Sequence, residues 1–233
     1  MKFFISLSIV IFMAQASYSQ AFIAAVNQIP MNTEAIVVRT DGSIVEGKIR
    51  SSTLVNGFLK SFRVKDANEN IHKFKSDEVL SIKVKPGLLG KLDMIAEKTS
   101  SIAEIVNTNF DEIIKREWIY FEQVISPKKN KKPLLLQQLN PGFDDVIKIY
   151  NNPGSQETSM VTTGETTIIG GEDRSYIALK SNGDSFFIRK GKYNKTILEN
   201  FSDCEAFMDQ FGSKKFKFRN IALHIFYYNQ YCK

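Results

Sequence analysis

The sequence predicts an α+β fold, mainly antiparallel β, in which a small N-terminal barrel-like unit and a second meander are followed by C-terminal helices. Two observations carry that expectation. Short runs of alternating apolar and polar residues recur from Glu34 to about residue 190, several of them joined by Gly-containing turns, and period two marks half-buried strands. From Tyr193 the apolar spacing lengthens to the helical period. A chain of 233 residues with 43% apolar and 24% charged side chains has the composition of a packed globular protein.

The first residues, MKFFISLSIVIFMAQASYSQ, run from Lys2 through an uninterrupted apolar stretch, Phe3 to Ala14, into small residues at Ala16, Ser17 and Ser19. This pattern reads as a signal peptide over residues 1–19, cut after Ser19 or, as the alternative, after Ala16. The apolar run is well short of the roughly 20 residues a spanning helix needs, which weighs against a membrane anchor. The expected chain is therefore secreted, in the periplasm or at the cell surface, with no transmembrane span. Without Lys2, thirty cations of the original 31 face 25 acids. That scattered surplus does not argue for nucleic acid.

Residues 20–33 show no period and read as a lead-in. Residues 34–86 read as the barrel-like unit of SH3-like or Sm-like type, with strands at EAIVVRT, SIVEGKIR, LKSFRVK, IHKFK and LSIKVK and a hairpin turn at Asp41-Gly42. Residues 87–116 read as a linker or helix, from the spacing of Ile102, Ile105, Val106, Phe110, Ile113 and Ile114 and a Ser101/Glu104 capping box. The cluster PKKNKKP at 127–133 reads as a solvated hairpin loop. Residues 117–233 read as an antiparallel meander closed by a helical hairpin. Its strands are expected at WIYFEQVIS, LLLQQLN, VIKIYNN, TTIIGG, SYIALK and SFFIRK, with a type I′ turn at Asn182-Gly183. Tyr193, Ile197 and Phe201 then stack at helical spacing. Ser202 and Glu205 suggest a capping box, Gly212 a stop, and a last helix runs from about Asn220 to Tyr231.

Cys204 falls in the first turn of the helix that Gly212 ends, and Cys232 lies just past the last helix. If the two helices pack antiparallel, both sulfurs meet at one end. A Cys204–Cys232 disulfide would then form in an oxidising compartment, two buried free thiols being the alternative. Of the aromatic run Phe226, Tyr227, Tyr228 and Tyr231, not all can face the core. Tyr227 and Tyr231 are the residues expected at the surface, and with them a possible interaction surface.

The search for chemistry is short. His72 and His224 stand alone, and no G-x-S-x-G elbow accompanies them, so no catalytic residue is assigned. The cysteine and histidine spacing fits no zinc site. Asp66, Asn68, Asn70 and Asp77 resemble a calcium loop, but Ile71 stands where that loop needs Gly, so a hairpin turn is preferred. GLLGKL at 87–92 lacks the spacing of a phosphate loop. Asp111, Glu112, Asp144, Asp145, Glu172 and Asp173 border turns or helix ends as solvated acids or caps. No cofactor or metal is expected. Phe58, Phe62 and Phe74, interleaved with Lys60, Arg63, Lys65 and Lys73, would suit single-stranded nucleic acid, but any half-buried strand alternates in this way and no nucleic acid partner is expected.

With these elements in place the chain resembles a family of uncharacterised exported proteins of Bacteroidetes. The shared features are Ser19 followed by Gln20, TDGSIVEGKI, LLLQQLNPGFDDVIKIYNN, SYIALKSNGDSFFIRKGK, NFSDCEAF and the closing YYNQYC. The polar insert NNPGSQETSMVTTGE departs from the family pattern. The resemblance implies an α+β fold with a helical tail and a paired Cys204 and Cys232, and brings no activity with it. The functional expectation is a non-catalytic binding module of the cell envelope whose partner is an envelope protein or glycan. The alternative is an envelope hydrolase with two carboxylates that sequence alone does not identify.

Overall fold

Strands β1 (Glu34–Arg39), β2 (Ile44–Val55), β3 (Phe58–Lys65), β4 (Ile71–Lys75) and β5 (Val79–Lys85) follow one another through tight turns, as their alternation predicts. In β3, Leu59, Phe62 and Val64 are buried while Lys60 and Arg63 face solvent. The computed structural model describes residues 22–23, 25–55, 57–85, 118–127, 132–152, 161–163, 166–168 and 175–233. The expected leader, the helix expected at 87–116 and most of PKKNKKP lie outside the described residues.

Strands β6 (Ile119–Ile125) and β7 (Pro133–Gln137), which the sequence assigns to the meander, complete the barrel instead. The order is β2-β1-β5-β6-β7-β3, antiparallel throughout, and β3 returns to β2. Five short strands leave one edge of β5 and part of β3 without partners. β6 takes the first edge through Ile82↔Phe121, and β7 reaches β3 at Phe58↔Leu136, beside which β4 covers the rest of that edge. Such closure removes exposed strand edges. The long β2 serves two neighbours, pairing β1 with its first half and β3 with its second. Gly47 stands where it turns, and a Cβ there would lie 2.2 Å from the Lys65 carbonyl oxygen.

A second sheet, β12-β11-β8, is built from β8 (Ile147–Asn151), β11 (Ser175–Lys180) and β12 (Ser185–Arg189), and a bridge between Gln138 and Tyr150 ties it to the barrel. The segments β9 (Val161–Thr163) and β10 (Thr166–Ile168) form a separate two-stranded ribbon. Three helices follow: α1 (Tyr193–Phe201), α2 (Glu205–Phe211) and α3 (Ile221–Tyr231).

One apolar core runs without a break from the barrel (Val37, Ile49, Phe62, Ile82) through Leu139 and Phe143 to the helices (Phe201, Phe207, Ile225). A smaller one, with Val124, Leu136, Tyr150 and Ile177, fills the seam between barrel and second sheet. The lead-in proves to be part of the larger core. Phe22, Ile23, Val26 and Ile29 are buried, and the segment is held by Ile23 N–H to the Leu139 carbonyl (2.9 Å) and Val26 N–H to Gln137 Oε1 (2.7 Å). It straps one side of the barrel as irregular backbone, which is why its apolar residues show no period.

Three of the hairpins share a geometry. Gly42, Glu69 and Gly183 adopt φ of +82°, +68° and +91°, and each donates its N–H to the residue three before it. This is a type I turn followed by one left-handed residue. At Asn182-Gly183 only the glycine has positive φ, so the expected type I′ turn is replaced by this bulged form. Asn182 supports it by accepting the Asp184 N–H at 3.0 Å.

Candidate interaction surface

The last helix is best built from its buried stripe. Ile221, Ile225 and Asn229 recur every fourth residue and are all buried, so a polar amide stands where the pattern calls for an apolar side chain. Asn229 satisfies every group it buries. Its Oδ1 accepts the N–H groups of Val146 (2.7 Å) and Ile147 (2.9 Å), and its Nδ2 donates to the carbonyls of Ile147 (3.1 Å) and Ile225 (3.0 Å). Asn140 does the same from the other side, donating to the Phe143 and Ile147 carbonyls and accepting the Ile149 N–H. Two asparagine amides thus share the Ile147 carbonyl and lock α3 to the start of β8.

At the end of α3, Cys204 and Cys232 stand at disulfide distance, Sγ to Sγ 2.01 Å with Cα atoms 5.5 Å apart. Cys204 is the N-cap of α2 and Cys232 the C-cap of α3. The expected Ser202/Glu205 capping box is absent, since the cap falls two residues later and carries no side-chain bond. Gly212 does end α2, but with φ of −68° and not the left-handed form; its N–H bonds the Met208 carbonyl, which a Cβ would approach to 2.5 Å.

Beside the cysteines, Asp203 accepts hydrogen bonds from Lys180 Nζ (2.9 Å) and from the Tyr228 hydroxyl (2.9 Å). Burial works to raise the Asp203 carboxyl, but its bonds from Lys180 and Tyr228 outweigh that and hold it below the usual carboxylate range. Burial, together with the Asp203 charge, pushes the Tyr228 phenol up. The Lys180 ammonium also lies 5.1 Å from the centroid of the Tyr228 ring. This cluster ties the β11–β12 hairpin to the helices.

The opposite face of α3 carries the tyrosines. Tyr231 is 61% exposed, and its ring centroid lies 4.3 Å from that of Tyr227. Tyr227 is half-buried, its ring edge-on to Phe211 at 5.1 Å. Met208, half-buried on α2, packs against the same core. The two residues singled out by sequence therefore meet as one ring pair tilted by 36°, with Tyr231 at the surface and Tyr227 beneath and beside it. Phe211 was missed as a neighbour because its contact with Tyr227 joins different helices.

His224 has a structural place. It is 3% exposed, ringed by Phe207, Phe211 and Phe216, and its Nδ1 lies 2.7 Å from the Tyr193 hydroxyl. Burial pulls its pKa down to about 4, so the ring is neutral and shares one hydrogen bond with the tyrosine hydroxyl through Nδ1. His72 bonds Asp66 at 2.8 Å. That carboxylate also accepts the Asn68 and Asn70 N–H groups and the Asn70 amide; the His72 bond, aided by the asparagines against burial, holds it at about 2. Asp66 thus fixes the turn that places Glu69 in the left-handed region, and its oxygens are engaged within the hairpin.

Asp144 accepts from Gln138 Nε2 at 2.7 Å, and Asp145 pairs with Lys233 at 3.0 Å. Asp111, Glu112, Glu172, Asp173 and the GLLGKL segment lie outside the described residues. Glu122, Lys148 and Tyr150 form a further polar cluster at the seam, with both Glu122 oxygens bonded to Lys148. Burial, then the Glu122 charge, push the Tyr150 phenol far up. Among the described residues, every carboxyl with a resolved shift (Asp41, Asp66, Asp203) moves down. Among them, too, no cluster of three His, Cys, Asp or Glu is placed to hold a metal, and no helix is long and apolar enough to cross a membrane. Phe62 and Phe74 are 2% and 5% exposed, stacked on each other inside the barrel, so they present no face to a base. Comparison of the chain with protein-family models, curated proteins and solved structures returns no match.

Proposed function

We propose that this chain is an exported envelope protein of the Bacteroidetes type it resembles, acting as a non-catalytic binding module that presents Tyr227 and Tyr231 to a protein partner. The observation that carries this reading is the close, tilted tyrosine pair on a helix held from behind by Asn229, by Asp203 and by the Cys204–Cys232 link. Tyrosines supply large amphipathic contact area at small entropic cost and are enriched in interface hot spots. A rigid support lowers the ordering cost of binding. A protein partner is favoured over a glycan because Phe211, packed edge-on against Tyr227 and itself only half-buried, extends the pair with apolar surface that sugars match poorly. The hydrolase alternative needs an acid with a raised pKa, and among the described residues the shifted carboxyls move the other way.

The test is photo-crosslinking in cells. A benzoylphenylalanine in place of Tyr231 should give one discrete protein adduct, and the same probe at exposed Ile71 on the barrel should not. Equal labelling from both positions, or none from Tyr231, counts against the proposal.

A further inference from the structure

We infer that the end of the helical layer opposite the cysteines is a docking surface for anionic phospholipid. Two basic stretches distant in sequence, RKGK at 189–192 and KKFKFR at 214–219, meet there. Phe216 N–H donates to Asn194 Oδ1 at 2.9 Å, and the Phe218 ring packs edge-on against Tyr193 at 5.4 Å. These contacts set the second stretch against the start of α1, directly after the first. Phe216 is buried, stacked on Phe207 at 5.7 Å, and Phe218 is half-buried on Tyr176. With its aromatics turned inward, the loop that would otherwise be loose holds its cations outward. Arg189, Lys190, Lys192, Lys214, Lys215, Lys217 and Arg219 are all exposed. Arg189 lies over the Phe187 ring. Among the described residues, none of the other six has a carboxylate within ion-pair reach.

Seven of the chain's 31 Lys and Arg, in two segments apart in sequence, are thus brought to one end of the helical layer. Its field favours an anionic partner. Two features select a lipid surface among anions. The cluster is mostly lysine, a hydrated point charge suited to a diffuse surface potential more than to bidentate capture of single carboxylates. Leu223, 45% exposed, stands in the first turn of α3, four residues after Arg219, giving an apolar side chain to enter the interfacial region beside the charges. The inference stands apart from the tyrosine reading, since Tyr227 and Tyr231 lie toward the other end of α3.

The experiment is flotation of the full oxidised chain with phosphatidylcholine vesicles, with and without phosphatidylglycerol. The chain should float with the anionic vesicles only, and less as salt rises. Replacing Lys214, Lys215 and Lys217 by Gln should weaken partitioning roughly a hundredfold, from about fivefold for each lysine near such a surface. Lys60→Gln, Lys73→Gln and Lys75→Gln together remove the same charge from the barrel and should leave partitioning unchanged, while Leu223→Ser should weaken it severalfold. Phosphate and chloride at matched ionic strength should compete equally. Flotation with neutral vesicles, equal loss in the barrel variant, or selective displacement by phosphate, which would mark a discrete phosphate site, would each overturn the inference.

Discussion

Replacing Asn229 by Ala removes the amide that joins α3 to β8, and the cost can be worked from its four bonds. The Ile147 carbonyl keeps its bond from Asn140, and the Ile225 carbonyl keeps the helical position four residues before its partner, so the acceptors lose little. The donors lose more. Ile147 is fully buried and Val146 half-buried, and each gives up the Asn229 oxygen at 2.9 and 2.7 Å. A buried donor left without a partner costs about 1–3 kcal/mol, so the pair costs about 3 kcal/mol, or a fall of roughly 6–12 °C in Tm for a chain of this size. Asn229→Asp sharpens the test. Its carboxylate still accepts both N–H groups, but the second oxygen now faces two carbonyls. The buried acid therefore titrates above its unfolded value, and the variant gains stability as pH falls through that raised pKa, the reverse of the usual carboxylate. Urea unfolding followed by far-ultraviolet circular dichroism and by the fluorescence of the single Trp118 gives both numbers. The two probes should coincide, because one core spans barrel and helices. A loss below about 0.5 kcal/mol for Asn229→Ala, the range of ordinary surface changes, would refute the reasoning. So would an Asp variant as stable as the parent at neutral pH.

Gly47→Ala should destabilise the barrel by about 2 kcal/mol or more, since its Cβ meets backbone, the Lys65 carbonyl, and not a movable side chain; an unchanged urea midpoint would show that β2 can shift. His224 is neutral in the fold with a pKa of about 4 and takes up a proton at about 6.5 when unfolded, so stability should fall by about 3 kcal/mol between those values as pH drops and level off below. Flat stability across that window would remove the buried imidazole from the account. Cys204→Ser with Cys232→Ser opens a loop of 28 residues' separation and should cost about 3.5 kcal/mol by chain entropy, read from the urea midpoint against the oxidised parent. An unchanged midpoint would show that the link does not stabilise the helical hairpin.

Local chemistry carried the elements that the sequence made legible. Alternation located the strands, and Asp41-Gly42 and Asn182-Gly183 marked hairpins because a left-handed residue is cheap only at glycine. The turn class was not legible, because Asn-Gly suits both forms and the choice falls to the strands it joins. Closure of the barrel was hidden for another reason. β6 and β7 reach the edges of β5 and β3 only in space, and alternation says nothing about which strand lies beside which. The strap at Phe22 to Ile29 had no periodic signature because irregular backbone has none. Asn229 did leave a signal, a polar residue on the stripe of Ile221 and Ile225, and α3's aromatic residues divided between core and surface partly as expected. Tyr231 is exposed, while Tyr227 is half-covered through its contact with Phe211 on another helix.

The proposed export predicts a chain outside the cytoplasm, with its helical tail linked to its neighbour through Cys204 and Cys232. The most direct measurement is the intact mass of the native protein, alkylated before lysis and without reductant. It should begin at Gln20, or at Ser17 by the alternative cut, with neither Cys204 nor Cys232 carrying an alkyl group. A chain still starting at Met1, or one alkylated on both sulfurs, would contradict it.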